Sequence, residues 1–170
     1  MRVYHEVSSN SFASVQSQGL KRTNRGAKGQ DKLIIQTDEF LDSHRPKNLI
    51  KNDLRRCNNL YGYLGTKEVI VDIRDGKIKP IKNWRSDHTL LQLTIDPTRC
   101  WIADLDRYDA IKNGVSEGVN SALVHLALDY WENTTRLDLY QWKSIQRPEV
   151  MITYNLPPTL IQLVGSSYKK

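Results

Sequence analysis

Hydrophobic and polar positions alternate along residues 2–7, Arg-Val-Tyr-His-Glu-Val, with the two-residue period of a strand. The next stretch changes to helical punctuation. Ser8 or Ser9 offers an N-terminal cap, Phe12 and Val15 fall three apart on one face, and Gly19 offers a left-handed stop after which Leu20 packs back. A short apolar run at 33–35 stands between polar stretches, and residues 59–65, Asn-Leu-Tyr-Gly-Tyr-Leu-Gly, read as a strand whose glycines permit close backbone approach. Residues 68–73 predict another strand, and Asp75-Gly76 predicts a hairpin turn. Residues 89–96 alternate up to Pro97, and 100–103 resume an extended pattern. From Ser116 to Asn133 the apolar positions Val119, Leu123, Leu126, Ala127 and Tyr130 follow helical spacing, which predicts one long helix with His125, Asp129 and Glu132 on a neighbouring face. A strand over 149–156 is interrupted by Pro157 and Pro158, and a last strand follows at 160–164.

About seven strands and two or three helices, in no regular strand–helix–strand alternation, predict an α+β domain with mostly antiparallel pairing. The 170 residues, 39% of them hydrophobic, suit a single domain over 1–170 with its own core. A doubly wound nucleotide fold is disfavoured, since the chain has neither GxGxxG nor GxxxxGK[ST].

Composition narrows the function classes. No apolar run approaches the roughly 20 residues that span a bilayer, and residues 1–5 lack the apolar stretch of a leader peptide, so a cytoplasmic chain with no membrane partner is expected. Cys57 and Cys100 have no CxxC partner and no histidines at metal-ligand spacing, which predicts free thiols and no bound metal. The net charge is +6, and residues 1–56 carry 11 Lys and Arg against 6 Asp and Glu. Residues 21–30, with Lys21, Arg22, Arg25, Lys28 and two glycines, read as a basic loop. A surface of this kind attracts phosphate-rich partners, whether nucleic acid or a dinucleotide.

The four histidines are at 5, 44, 88 and 125, and no serine or cysteine occupies a nucleophile elbow, so a hydrolase triad finds no support. His125 with Asp129 one turn later suits a solvated helix face. His5 shares its pleat face with Val3 and Val7, and a histidine among core-facing valines needs a partner.

The order of motifs, a strand with His5, a helix ending in Gly19-Leu20, a Leu-Tyr-Gly-Tyr-Leu strand and a late strand opening with Glu149 before a Pro-Pro step, resembles the ADP-ribosyltransferase superfamily over nearly the whole chain. The resemblance implies a split β-sheet that binds NAD as co-substrate in a cleft, with a His-Tyr-Glu set from three strands. It implies that His5 hydrogen-bonds a ribose hydroxyl, that Tyr61 or Tyr63 stacks on nicotinamide, and that Glu149 is the catalytic carboxylate. Arg55 and Arg56, just upstream of the tyrosine strand, offer paired donors to the pyrophosphate. The chain departs from many members in carrying Glu6 and Val7 directly after the histidine. It carries Arg147 where the arginine-modifying branch has Glu or Gln, so arginine is not the expected acceptor, and the second strand histidine of the tRNA phosphotransferase branch is missing. A distant likeness to the DNA-modifying toxin branch, with Lys21, Arg22 and Arg25 as nucleic-acid contacts, leans the expected acceptor toward nucleic acid over protein and leaves room for a neutralising partner protein. The alternatives are a non-enzymatic nucleic-acid-binding or interaction domain, and a domain that hydrolyses or senses NAD.

Overall fold

Residues 3–24, 31–50, 53–64, 88–141, 145 and 147–166, described by a computed structural model, form a mixed α/β protein whose strand ladders are antiparallel. They cluster into two units, 1–21 with 62–95 and 155–170, and 22–61 with 96–154. The expected strand at 68–73 and the turn at Asp75-Gly76 lie outside the described residues.

In the first unit the alternating start of the chain forms β1 (Val3–Ser8), and α1 (Phe12–Gln18) follows. The strand order is β3–β1–β4–β8, with β3 at Asn58–Leu64, β4 at His88–Leu93 and β8 at Ile161–Ser166. Register runs from Val3 opposite Leu93 to Ser8 opposite His88, and on the other side of β1 Tyr4 faces Tyr63. Val3, Tyr4, Val7, Leu90, Leu91 and Leu93 are buried, each burial worth about 1.5–3 kcal/mol for a large apolar side chain. Gly19 takes φ +76° and donates to Val15 O (2.9 Å), and Leu20 exchanges two backbone hydrogen bonds of 2.8 Å with Leu156, so the expected stop forms. The expected serine cap does not. A 3-10 turn at Ser9–Ser11 precedes α1, and Ser8 Oγ lies 2.7 Å from Ser11 Oγ instead of on a helical N–H.

The second unit has the strand order β6–β5–β7–β3, with β5 at Cys100–Asp104, β6 at Thr135–Arg136 and β7 at Pro148–Ile152, and β2 (Thr23–Asn24) pairs with β3. Glu149 of β7 is opposite Ala103 of β5. The helices are α2 (Lys32–Ser43), α3 (Lys47–Ile50), α4 (Leu105–Glu117) and α5 (Ser121–Glu132). Leu41, Leu54, Ala103, Tyr108, Ile111, Leu123, Ala127, Tyr130, Trp131 and Met151 share one core, in which Trp131 Nε1 donates to Leu41 O (2.7 Å).

Two expectations are corrected here, and a helix that carried no sequence signal is added. The apolar run at 33–35 opens a twelve-residue helix, α2, capped by Asp31, whose carboxylate accepts from Leu33 N (2.9 Å). Its buried positions are Thr37, Asp38 and Leu41, and two polar residues on the buried face erase the apolar period. The single helix over 116–133 is two. Gly118, at φ +118°, ends α4, and Asn120 caps α5 by accepting from Leu123 N (2.9 Å), which leaves Val119 exposed. The strand expected over 149–156 pairs with β5 only as far as Ile152.

Candidate functional site

Arg56 enters the second unit's core from the turn before β3. Asp42 of α2 closes that turn, accepting from Arg56 N (2.7 Å) and Cys57 N (3.2 Å). The Arg56 side chain has no solvent exposure. A guanidinium keeps its charge at any ordinary pH, so burying it demands counter-charges and hydrogen bonds close by. Nε is 3.2 Å from Asp38 Oδ1, and Nη1 donates to Glu149 Oε2 and to Tyr130 Oη (2.8 Å), with Met151 Sδ at 3.8 Å. The Tyr108, Tyr61 and Tyr130 rings lie 4.1, 4.6 and 5.7 Å from Cζ, within the range of cation–π attraction. Tyr61 also donates its hydroxyl proton to Arg56 O.

The electrostatics follow from this packing. Burial by itself lowers the Arg56 pKa, but Glu149, then Tyr130, Tyr61 and Asp38, outweigh it, and the result lies well above the ordinary value. Burial pushes the Tyr130 phenol well above its ordinary range, with Arg56 opposing and Glu149 adding. Of the three charged side chains, Arg56 and Asp38 are fully buried and Glu149 keeps 9% exposure. Glu149 is thus the least enclosed of the three charges, although it too is buried, and Tyr61 is half-buried. A carboxylate held in this way can accept a hydrogen bond from a hydroxyl or stabilise positive charge that develops beside it.

Two of the residues nominated by the sequence, Tyr61 and Glu149, gather around the guanidinium of a third, Arg56. Arg56, expected to meet a pyrophosphate, faces inward, because its guanidinium is buried and its Nε and Nη1 are engaged by protein groups. Arg55 keeps 54% side-chain exposure, 4.0 Å from Asp53. His5 and Tyr63 are half-buried in the first unit, where His5 is opposite Leu91 and Tyr63 opposite Tyr4. Lys21 is exposed, with Nζ 3.4 Å from Gln18 Oε1. Arg22 is tied to Asn58 O (2.7 Å) and Asp53 (3.1 Å), and Arg25 lies outside the described residues. Asp129, considered beside His125, pairs with Arg107 of α4.

Asp38, Tyr108 and Tyr130 escaped sequence reasoning. Tyr130 carried a usable signal, since a tyrosine on the buried face of a helix needs a partner for its hydroxyl. Asp38 carried none, standing in a stretch that reads as polar. Among the described residues no group of three or more His, Cys, Asp and Glu side chains is placed to hold a metal ion, and no helix is long and apolar enough to cross a membrane. Comparison with family models, with curated proteins and with solved structures finds no match to this chain.

Proposed function

We propose that this chain is an NAD-dependent ADP-ribosyltransferase, with the fold its motif order resembles, that transfers ADP-ribose to a macromolecular acceptor, nucleic acid ahead of protein. The observation that carries the reading is that Glu149 and the nominated Tyr61 meet the same buried guanidinium, with the carboxylate the least enclosed of the three charges there. Loss of nicotinamide breaks the ribose C1′–N bond, and the departing ring takes the electron pair. Positive, oxocarbenium-like charge builds on the sugar, and an acceptor oxygen or nitrogen then bonds C1′ and gives up its proton. A carboxylate at the 2′-hydroxyl stabilises that charge more than it stabilises bound NAD, and so lowers the barrier. In this reading Glu149 has this role, and the resemblance alone assigns the ribose to His5 and the nicotinamide to Tyr61 or Tyr63. The exposed Lys21 and Arg55 and the net charge of +6 support a phosphate-bearing acceptor.

The test is nicotinamide release from NAD by the purified chain, wild type beside Glu149→Gln and His5→Ala, with and without DNA, RNA and cell lysate. Glu149→Gln is preferred to alanine because it keeps the side-chain volume beside Arg56. The reading expects release that falls at least about a hundredfold in Glu149→Gln, the scale at which removal of one transition-state-stabilising group is felt. Release without labelled macromolecule would move the function to NAD hydrolysis. Absence of both release and NAD binding would sink the enzyme and leave a nucleic-acid-binding or interaction domain.

A further inference from the structure

We infer that Asp38 and Arg56 are positioning residues, which together hold the Glu149 carboxylate by one oxygen in a single orientation. The inference rests on the proposed role of Glu149 and names the groups that make it work.

The geometry is that of a clamp. Asp38 and Asp42 stand one turn apart on α2 and so share a face of the helix. Asp42 grips the backbone N–H of Arg56, and Asp38 grips Nε of its side chain. A planar guanidinium held at Nε, with tyrosine rings 4.1 and 4.6 Å from Cζ, has little freedom to tilt. The direction of Nη1 is then set, and Tyr130 Oη fixes it again. Glu149 Oε2 is the group at the end of that direction.

Stability alone gives a poor account of this cluster. Buried ion pairs are often no more stabilising than apolar side chains of equal volume, because desolvation opposes the attraction. Among the described residues Arg56 Nη2 finds no hydrogen-bond partner, although buried donors are costly to leave unpaired. An arrangement that accepts that cost, and leaves Glu149 the least enclosed of its three charges, is suited to aiming that carboxylate.

The test is a double-mutant cycle on the full chain, using wild type, Asp38→Asn, Glu149→Gln and the double variant. Circular dichroism verifies folding, and nicotinamide release is expressed per folded molecule. Asp38→Asn is expected to lower kcat about tenfold or more while leaving KM for NAD unchanged, since a misaimed group weakens the transition state rather than substrate binding. In the Glu149→Gln background the same substitution is expected to add nothing. Arg56→Lys, which keeps the charge and loses the fork, should fall as Asp38→Asn does. Losses that add in full, or a raised KM with kcat kept, would overturn the positioning role. A wild type that releases no nicotinamide fails the NAD reading alone, and the cycle is then read on denaturant unfolding of the same four proteins. Independent, additive effects there overturn the clamp, whereas coupling between Asp38 and Glu149 upholds it as the device that holds this carboxylate.

Discussion

Arg56 Nε and Asp38 Oδ1 lie 3.2 Å apart, and neither side chain is reached by solvent. This pair ties the middle of α2 to the turn that launches β3, and Glu149 of β7 joins the same guanidinium. One charged side chain thus links three elements of the second unit, and its removal should be felt beyond its own contacts.

Arg56→Met is expected to cost about 3–5 kcal/mol of stability, because it removes the buried counter-charge that Asp38 and Glu149 share. Adding Asp38→Asn to it should restore part of that loss by removing one stranded charge. Urea unfolding followed by tryptophan fluorescence measures both, and a cost under about 1 kcal/mol for Arg56→Met would contradict an ion pair that is shielded from water.

Alkaline pH should destabilise the fold in a defined window. Burial pushes the Cys100 thiol from 9.0 up to about 12, and burial pushes the Tyr130 phenol above its ordinary 10.0. Both groups hold their protons in the fold and release them sooner in the unfolded chain. The protection is complete below pH 9, begins to fall there for Cys100 and above pH 10 for Tyr130, by up to about 1.4 kcal/mol per pH unit for each group. Unfolding midpoints at pH 8, 9.5 and 10.5 check this, with Cys100→Ala giving a shallower fall between the first two. A flat profile would mean that water reaches both groups.

Gly19→Ala should be more damaging than Gly118→Ala, although both glycines have positive φ. A Cβ on Gly19 would stand 2.1 Å from Leu156 O, a backbone atom of the Leu20–Leu156 bridge, whereas one on Gly118 meets nothing within 4 Å. Gly118→Ala carries only backbone strain of about 1 kcal/mol, and Gly19→Ala adds an overpacking cost of about 1–3 kcal/mol. Thermal denaturation of the two variants distinguishes them, and equal losses would show that the bridge gives way at little cost.

The local pattern reaches far into this fold where each element's neighbours are apolar. The alternation at the start of the chain, the stop at Gly19-Leu20, the Leu-Tyr-Gly-Tyr-Leu strand and the extended runs that become β4, β5, β7 and β8 are legible because a two-residue period reports directly on a half-buried pleat. α2 is illegible for the same reason in reverse, since its buried face carries Thr37 and Asp38. The division of α4 from α5 depends on the conformation of Gly118, which an apolar count over 116–133 passes across.

Glu149, Tyr61 and Arg56 were nominated from the sequence by residue type and order, with Arg56 facing outward. Only the tertiary structure turned Arg56 inward, because nothing in the polar stretch 36–39 signals that Asp38 will be buried to receive it. By itself the sequence determined an α+β composition and the positions of most of the longer strands, since these depend on side-chain chemistry within a few residues. The tertiary structure decided which charges meet, since a buried guanidinium is stable only where the fold brings Asp38, Glu149 and the Tyr108 and Tyr130 rings to it from distant parts of the chain.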